Sequence, residues 1–112
     1  MNSEETRQEI LDFFETIEKY YGCKTEITEG LCKSSSFNPD FSTWNLFEFH
    51  LIRSAYRTQG DRFMLEGNGM YYEMDAGSIV ALTKTGRNKF EFIEQLGDTI
   101  FRITKIRFHY KY

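Results

Sequence analysis

The sequence has few of the residues that build catalytic centres or covalent frameworks. Its 112 residues include 1 Pro, 2 Cys, 2 His and 1 Trp. Cys23 and Cys32 are too few for a disulfide framework and lack the spacing of a metal site, so we expect two reduced thiols. The motifs of nucleophilic serine, zinc-protease, phosphate-loop and dinucleotide sites do not occur in the chain. We therefore expect a protein that is not an enzyme and holds no cofactor or metal.

Long apolar runs and a strong charge excess are also missing. No stretch approaches the roughly 18 apolar residues of a membrane-spanning helix, and the segment Met1 to Glu9 is acidic, unlike the basic start of a signal peptide. With 14 Lys+Arg against 17 Asp+Glu, the net charge of -3 argues against a nucleic-acid or membrane partner. The sequence predicts a cytoplasmic protein.

Apolar and aromatic residues are abundant enough for one hydrophobic core. Hydrophobic residues make up 40% of the chain and aromatic residues 17%, which suits a folded domain without metal or disulfides. We predict a single α+β domain over 1–112. Its parts are a helix over 3–21, an irregular segment over 23–43, in which Lys24 to Thr28 is a candidate short strand, and antiparallel strands over 44–112.

The opening helix is predicted by apolar residues that recur every three or four positions. These residues are Ile10, Phe13, Phe14, Ile17, Tyr20 and Tyr21. Asn2 can cap the helix start and Gly22 stands where a helix end is expected. Residues 1–21 carry six acids and two bases, so the helix has an acidic outer face. Such a face is either a docking surface or ordinary solvated surface.

From Trp44 onward the hydrophobic period changes to two, which is typical of strands. A two-residue turn of the primed type at Asn68-Gly69 would match apolar residues across a hairpin. It sets Leu65 opposite Tyr72 and Phe63 opposite Met74. The alternative three-residue loop would mismatch these faces.

The last strand changes parity along its length. Phe101 and Ile103 occupy odd positions, whereas the later apolar residues are even: Ile106, Phe108, Tyr110 and Tyr112. One extra residue near Thr104 and Lys105, a β-bulge, would keep both sets on one face and bend the sheet. We predict a curved, mostly meandering antiparallel sheet of five to six strands, with the helix on its concave face. This arrangement resembles the cystatin-like and NTF2-like architectures, and the resemblance implies no site residues.

Glu48 and His50 are the weak candidates for catalytic residues. They share the polar face of one predicted strand, where a carboxylate could orient an imidazole as a general base. The alternative, which we prefer, is a pair of solvated side chains, because no nucleophile or electrophile accompanies them.

Two candidate binding sets remain. The first is a basic row on the last strand, which suits an acidic protein surface or, as an alternative, protects a sheet edge from aggregation; it comprises Lys105, Arg107, His109 and Lys111. The second is a surplus of large side chains that either fill the core or line a pocket in the mouth of the sheet; it includes Trp44, Tyr71, Tyr72 and Met74.

These features favour a small non-enzymatic domain that binds another protein, such as an inhibitor or immunity-type protein that masks its partner. The alternative is a small-molecule binder, or an isomerase-like or hydratase-like domain, with an aromatic pocket that uses Glu48 and His50 or Asp40. We expect no nucleic-acid or membrane partner. A symmetric homodimer through a sheet edge or face is as compatible with the sequence as a monomer.

Overall fold

The computed structural model describes residues 4–33, 42–57 and 59–110. Helix α1 spans Glu4–Thr16 and continues into a 3-10 turn at Ile17–Tyr20, where the sequence predicts one helix over 3–21. Gly22 follows with a φ of 92°, which suits a helix end. The strands are β1 (Lys24–Cys32), β2 (Ser42–His50), β3 (Arg53–Arg57), β4 (Arg62–Gly67), β5 (Met70–Asp75), β6 (Ile79–Gly86), β7 (Lys89–Gln95) and β8 (Phe101–His109).

The strands form two antiparallel sheets. Sheet A has five strands in the order β2-β1-β8-β7-β6, and sheet B has three in the order β3-β4-β5. The predicted α+β class, with an N-terminal helix on an antiparallel sheet, is confirmed. The prediction of five to six strands was too low, because the described residues form eight strands in two sheets.

Helix α1 fills the space between the two sheets. Its buried residues include Ile10 and Phe13, which recur at helical spacing. The Phe13 ring lies 4.8 Å from the Phe90 ring and 5.1 Å from the Phe92 ring of sheet A. On the other side, Phe14 stacks on Phe63 of sheet B with ring centroids 4.0 Å apart. The helix therefore joins both sheets into one core.

The β4–β5 hairpin has the predicted register. Leu65 faces Tyr72 and Phe63 faces Met74 across the two strands. Only the second turn residue, Gly69, takes a positive φ, of 75°, so the turn is not of the predicted primed type.

Two expectations about local structure were wrong. The interval 23–43 is not irregular throughout, because β1 occupies Lys24–Cys32 and pairs with both β2 and β8; residues 34–41 lie outside the described part of the chain. The predicted bulge near Thr104 and Lys105 is absent, since β8 keeps one continuous register with β1 and β7. The parity change in β8 therefore moves apolar side chains from one face of the sheet to the other.

Candidate interaction surface

Sheet A has an inner face, which contacts α1 and sheet B, and an outer face, which does not contact the helix. Near α1 the inner face is apolar, and buried residues such as Ile27, Ile106 and Phe108 belong to the core. At the opposite end of the sheet, the inner face becomes polar. Arg102 and Glu94 lie opposite each other there on β8 and β7. The inner face of sheet A thus changes from apolar to charged side chains along the strands.

These polar residues form what we call the inner polar cluster, which comprises Glu29, Tyr72, Glu94, Arg102 and Thr104. Arg102 Nε donates to Glu94 Oε1 at 2.7 Å, and a terminal nitrogen donates to the Glu73 carbonyl of sheet B at 2.7 Å. Glu94, only 1% exposed, also accepts the backbone N–H of Asp75 at 3.0 Å. The cluster therefore links sheet A to sheet B through satisfied hydrogen bonds.

Burial and charge in the cluster shift the pKa of two of its members. Burial raises the pKa of the Tyr72 hydroxyl above its ordinary value, and that hydroxyl lies 2.7 Å from the Thr104 hydroxyl. Burial works against the charge of Arg102, but the hydrogen bond and charge of Glu94 outweigh it, so the pKa of Arg102 is raised. Tyr72 is therefore neutral and Arg102 charged at neutral pH.

The outer face shows the reverse pattern at the same end of the sheet. One row of neighbouring residues crosses all five strands and contains only apolar side chains and glycine. We call it the apolar row, and it consists of Trp44, Gly30, Ile103, Ile93 and Ala81. Neighbouring strands lie roughly 4.8 Å apart, so the row is about 19 Å long. Trp44 is exposed, Ile93 and Ala81 are partly exposed, and Gly30 and Ile103 are buried. Exposed apolar residues on the face away from the core are typical of a surface that binds a partner.

Trp44 is the most prominent side chain of the apolar row. Its ring lies directly over Gly30, where a Cβ would come within 2.5 Å of a ring carbon, so only glycine fits beneath it. The ring remains 38% exposed, and the Lys105 ammonium lies 5.1 Å from a ring centroid. Leu46, two residues along the same face, is 64% exposed. Exposed Trp next to a cation is a common anchor in protein interfaces.

The predicted basic row lies on this outer face but in a different setting from the one expected. Strand β8 lies between β1 and β7, so the interpretation of Lys105, Arg107 and His109 as protection of a sheet edge was wrong. Acids on neighbouring strands lie beside these cations: His109 Nε2 is 3.1 Å from Glu26 Oε1, and Glu91 is opposite Lys105. Lys111 lies outside the described residues. The row is therefore part of a mixed-charge surface.

The structure does not bring the other predicted site residues together. Tyr72 and Met74 are buried in the core, whereas Trp44 lies on the outer face of sheet A and Tyr71 on the outer face of sheet B. Their side chains therefore line no common pocket.

Glu48 and His50 are exposed on the outer face of β2, where Glu48 Oε2 lies 3.4 Å from Lys24 Nζ. Asp40, their alternative partner, lies outside the described residues. Sequence reasoning missed that Gly30, Ala81 and Ile93 lie on the outer face of sheet A. One signal was available in the sequence: in both β7 and β8 the apolar residues change from one face of the strand to the other, and they do so at positions that pair, Ile93 and Ile103.

The acidic face of α1 is present but lies on the opposite side of sheet A from the apolar row. All six acids of the segment are exposed: Glu4, Glu5, Glu9, Asp12, Glu15 and Glu18. A cleft of about 290 Å³ runs between α1 and the β6–β7 hairpin, with Phe13 and Phe90 among its lining residues. Glu48 and His50 do not line this cleft.

Comparison with protein-family models, curated proteins and solved structures finds no match for this chain. Within the described ranges, no helix has the length and apolar character needed to cross a membrane. Those same ranges contain no group of three or more His, Cys, Asp or Glu side chains placed to hold a metal ion.

Proposed function

We propose that this protein is a non-enzymatic interaction domain that binds another protein through the outer face of sheet A. The observation that carries the proposal is the apolar row, which lies on the face away from the core while the inner face beneath it is charged. On this outer face Trp44 is 38% exposed and Ile93 and Ala81 are partly exposed, whereas Ile103 is buried; charged residues lie beneath them on the inner face. A partner that covers the row would bury this apolar surface.

The chemistry of the surface favours a partner with an apolar centre. Around the row the outer face carries charges of both signs: four cations, Lys24, Lys89, Lys105 and Arg107, and three acids, Glu26, Glu48 and Glu91. These charges nearly cancel, so long-range attraction contributes little to binding at this face. Hydrophobic burial and the Trp44 ring are therefore the main proposed sources of affinity.

The test compares two alanines that differ in the face they occupy. Ala81 lies in the apolar row on β6, and Ala55 lies on the outer face of sheet B on β3; both are partly buried. Tagged wild-type protein, Ala81→Lys and Ala55→Lys are recovered gently from the source cell and weighed by native mass spectrometry. We expect a stoichiometric protein complex for wild type and Ala55→Lys, and about tenfold less complex for Ala81→Lys.

The recovered partner is then purified and mixed with each protein. Because the chain contains 1 Trp, fluorescence of Trp44 reports the surface directly, and bound partner should protect the ring from acrylamide quenching. Equal binding by Ala81→Lys, or unchanged quenching of Trp44 in the complex, would place the interface elsewhere. A stoichiometric small molecule without a protein partner would instead support the alternative function as a ligand-binding domain.

A further inference from the structure

The two sheets present four edge strands, and three of them carry features that discourage pairing with another strand. In sheet B, β3 is five residues long and carries Arg53 and Arg57. The other edge strand, β5, is six residues long and carries Glu73 and Asp75 near its end. In sheet A, β6 has two register irregularities and contacts α1. Short length, charge and bulges are the usual means by which proteins protect sheet edges.

Strand β2, the fourth edge, has none of these protections. It runs for nine residues and keeps one unbroken register with β1. Its only formally charged residue is Glu48, and it contains no lysine, arginine or proline. Leu46, at its centre, is 64% exposed. Among the residues that the structure describes, no strand pairs with the outer side of β2, and the backbone N–H and C=O groups of a long, regular edge are suited to pair with another strand.

We propose that β2 pairs antiparallel with β2 of a second copy of this chain, so that two copies form a symmetric dimer with a continuous ten-stranded sheet. The strand is suited to pair with itself about Leu46 because its one carboxylate then avoids the carboxylate of the second copy. With Leu46 on the two-fold axis, Glu48 of each copy lies opposite Trp44 of the other. That position is next to Lys105, whose ammonium lies 5.1 Å from the Trp44 ring. Glu48, which lies 3.4 Å from Lys24 of its own chain, is thereby drawn toward the Lys105 ammonium of the other copy.

Other registers are less favourable. An axis at Glu48 would set two carboxylates directly opposite each other, which destabilises a strand pair. An axis at Leu46 instead opposes two exposed leucines and aligns all nine residues of both strands. The outer faces of the two copies then form one surface that carries two apolar rows. The dimer approaches the apolar row only beside Trp44, and Ala81, which tests partner binding, lies on β6 at the opposite edge of sheet A, so the two proposals are tested separately.

The experiment is sedimentation equilibrium of the purified protein over a wide concentration range. We expect wild type to reach twice the 13.3 kDa monomer mass and Leu46→Lys to raise the dimer dissociation constant about tenfold or more, because a lysine at a free edge opposes pairing. Tyr71→Lys is the matched control, since Tyr71 is also 64% exposed but lies on sheet B. It should change the dissociation constant by less than about twofold.

Charge exchange tests the register. Glu48→Lys and Lys105→Glu should each weaken the dimer, and the double variant should recover most of the loss because the opposite charges meet again. A wild-type protein that stays monomeric at every concentration would overturn the proposal. So would equal effects of Leu46→Lys and Tyr71→Lys, and a double variant weaker than either single variant would overturn the register. Partner loss in Ala81→Lys does not depend on this result, so the two proposals fail separately.

Discussion

The outer faces of the two sheets differ in polarity. On sheet B, outward-facing residues alternate with buried ones along β4 and β5. Three arginine–acid pairs cover the outer face: Arg53–Glu66, Arg57–Glu73 and Arg62–Asp75. On sheet A, the charged outer surface gives way to the apolar row, and the charge moves inside as the inner polar cluster. Sheet B therefore has one solvated face, whereas part of sheet A has polar and apolar groups in the reverse of their usual places.

This difference indicates two roles for similar residues. Arginine–acid pairs on sheet B are exposed to solvent and contribute little to stability. The pairs of Arg102 with Glu94 and Glu29 lie within sheet A and are largely shielded, and the same side chains bond to sheet B through the Glu73 carbonyl and the Asp75 N–H. Four predictions follow from this contrast, beginning with the largest expected effect.

The largest difference in stability should appear when one acid is removed from a shielded pair and one from an exposed pair. Glu94→Ala leaves Arg102 without its main partner inside the protein and should cost about 3–5 kcal/mol in the free energy of unfolding. Glu66→Ala, on the outer face of sheet B, should cost less than about 1 kcal/mol. Urea denaturation at neutral pH and one fixed protein concentration measures both. Similar losses for the two variants would mean that the inner polar cluster is no more coupled to the fold than the surface pairs.

Gly30→Ala tests the contact that seats Trp44 on sheet A. The added Cβ would lie 2.5 Å from the ring, so the ring must move, and we expect a loss of about 1–3 kcal/mol with greater acrylamide quenching of Trp44. Gly97→Ala is the control, because no atom lies within 4 Å of its added Cβ. The loss should shrink when Trp44→Ala is combined with Gly30→Ala. An undiminished loss in that double variant would exclude the ring contact as its cause.

The inner polar cluster should also make stability fall at alkaline pH. The pKa of Tyr72 is raised in the folded state. Its contribution to the free energy of unfolding is therefore complete below the unfolded-state pKa, near 10, and declines as pH rises toward the folded-state pKa. Above pH 10, ionisation of the unfolded state should lower stability by up to about 1.4 kcal/mol per pH unit, and Tyr72→Phe should remove that part of the slope. Tyr71→Phe, which alters an exposed tyrosine, should keep the wild-type slope. An unchanged slope for Tyr72→Phe would contradict the assignment.

The smallest effects are expected for exposed residues of the two outer faces. At protein concentrations low enough for monomer, Leu46→Lys and Tyr71→Lys should each change the free energy of unfolding by less than about 0.5 kcal/mol. At high concentration, only Leu46→Lys should lose stability relative to wild type, because only β2 gains from self-association. Equal stability of these two variants at every concentration would remove the proposed difference between the sheets.

Local signals in the sequence predicted sheet B better than sheet A. The β4–β5 register followed from a glycine turn and from strict alternation, because each residue's environment there depends on a strand only a few residues away. Strand β1 was not recognised beyond Thr28, because its inner Glu29 is paired by Arg102, 73 residues away, and its Gly30 is covered by Trp44. A charge or a glycine gives no strand signal until its distant partner is known.

The candidate surface shows the same limit. The sequence displayed the parity change at Phe101 and Ile103, but a bulge that kept all apolar residues inside was the simpler interpretation. The paired change in β7, where Ile93 faces outward and Glu94 inward, decides against the bulge. That pairing is visible only once the order of the strands is known.

The sequence by itself determined the amphipathic helix, the α+β class, the hairpin register of sheet B and the scarcity of catalytic groups, because these depend on periodicity and on neighbours close in the chain. The tertiary structure decided that β8 is a central strand, that β2 is an edge strand of the described sheet and that charge lies beneath the apolar row. Those properties depend on which distant strands become neighbours. Pairing between strands, and not the pattern along each strand, therefore determines which face of a strand is buried.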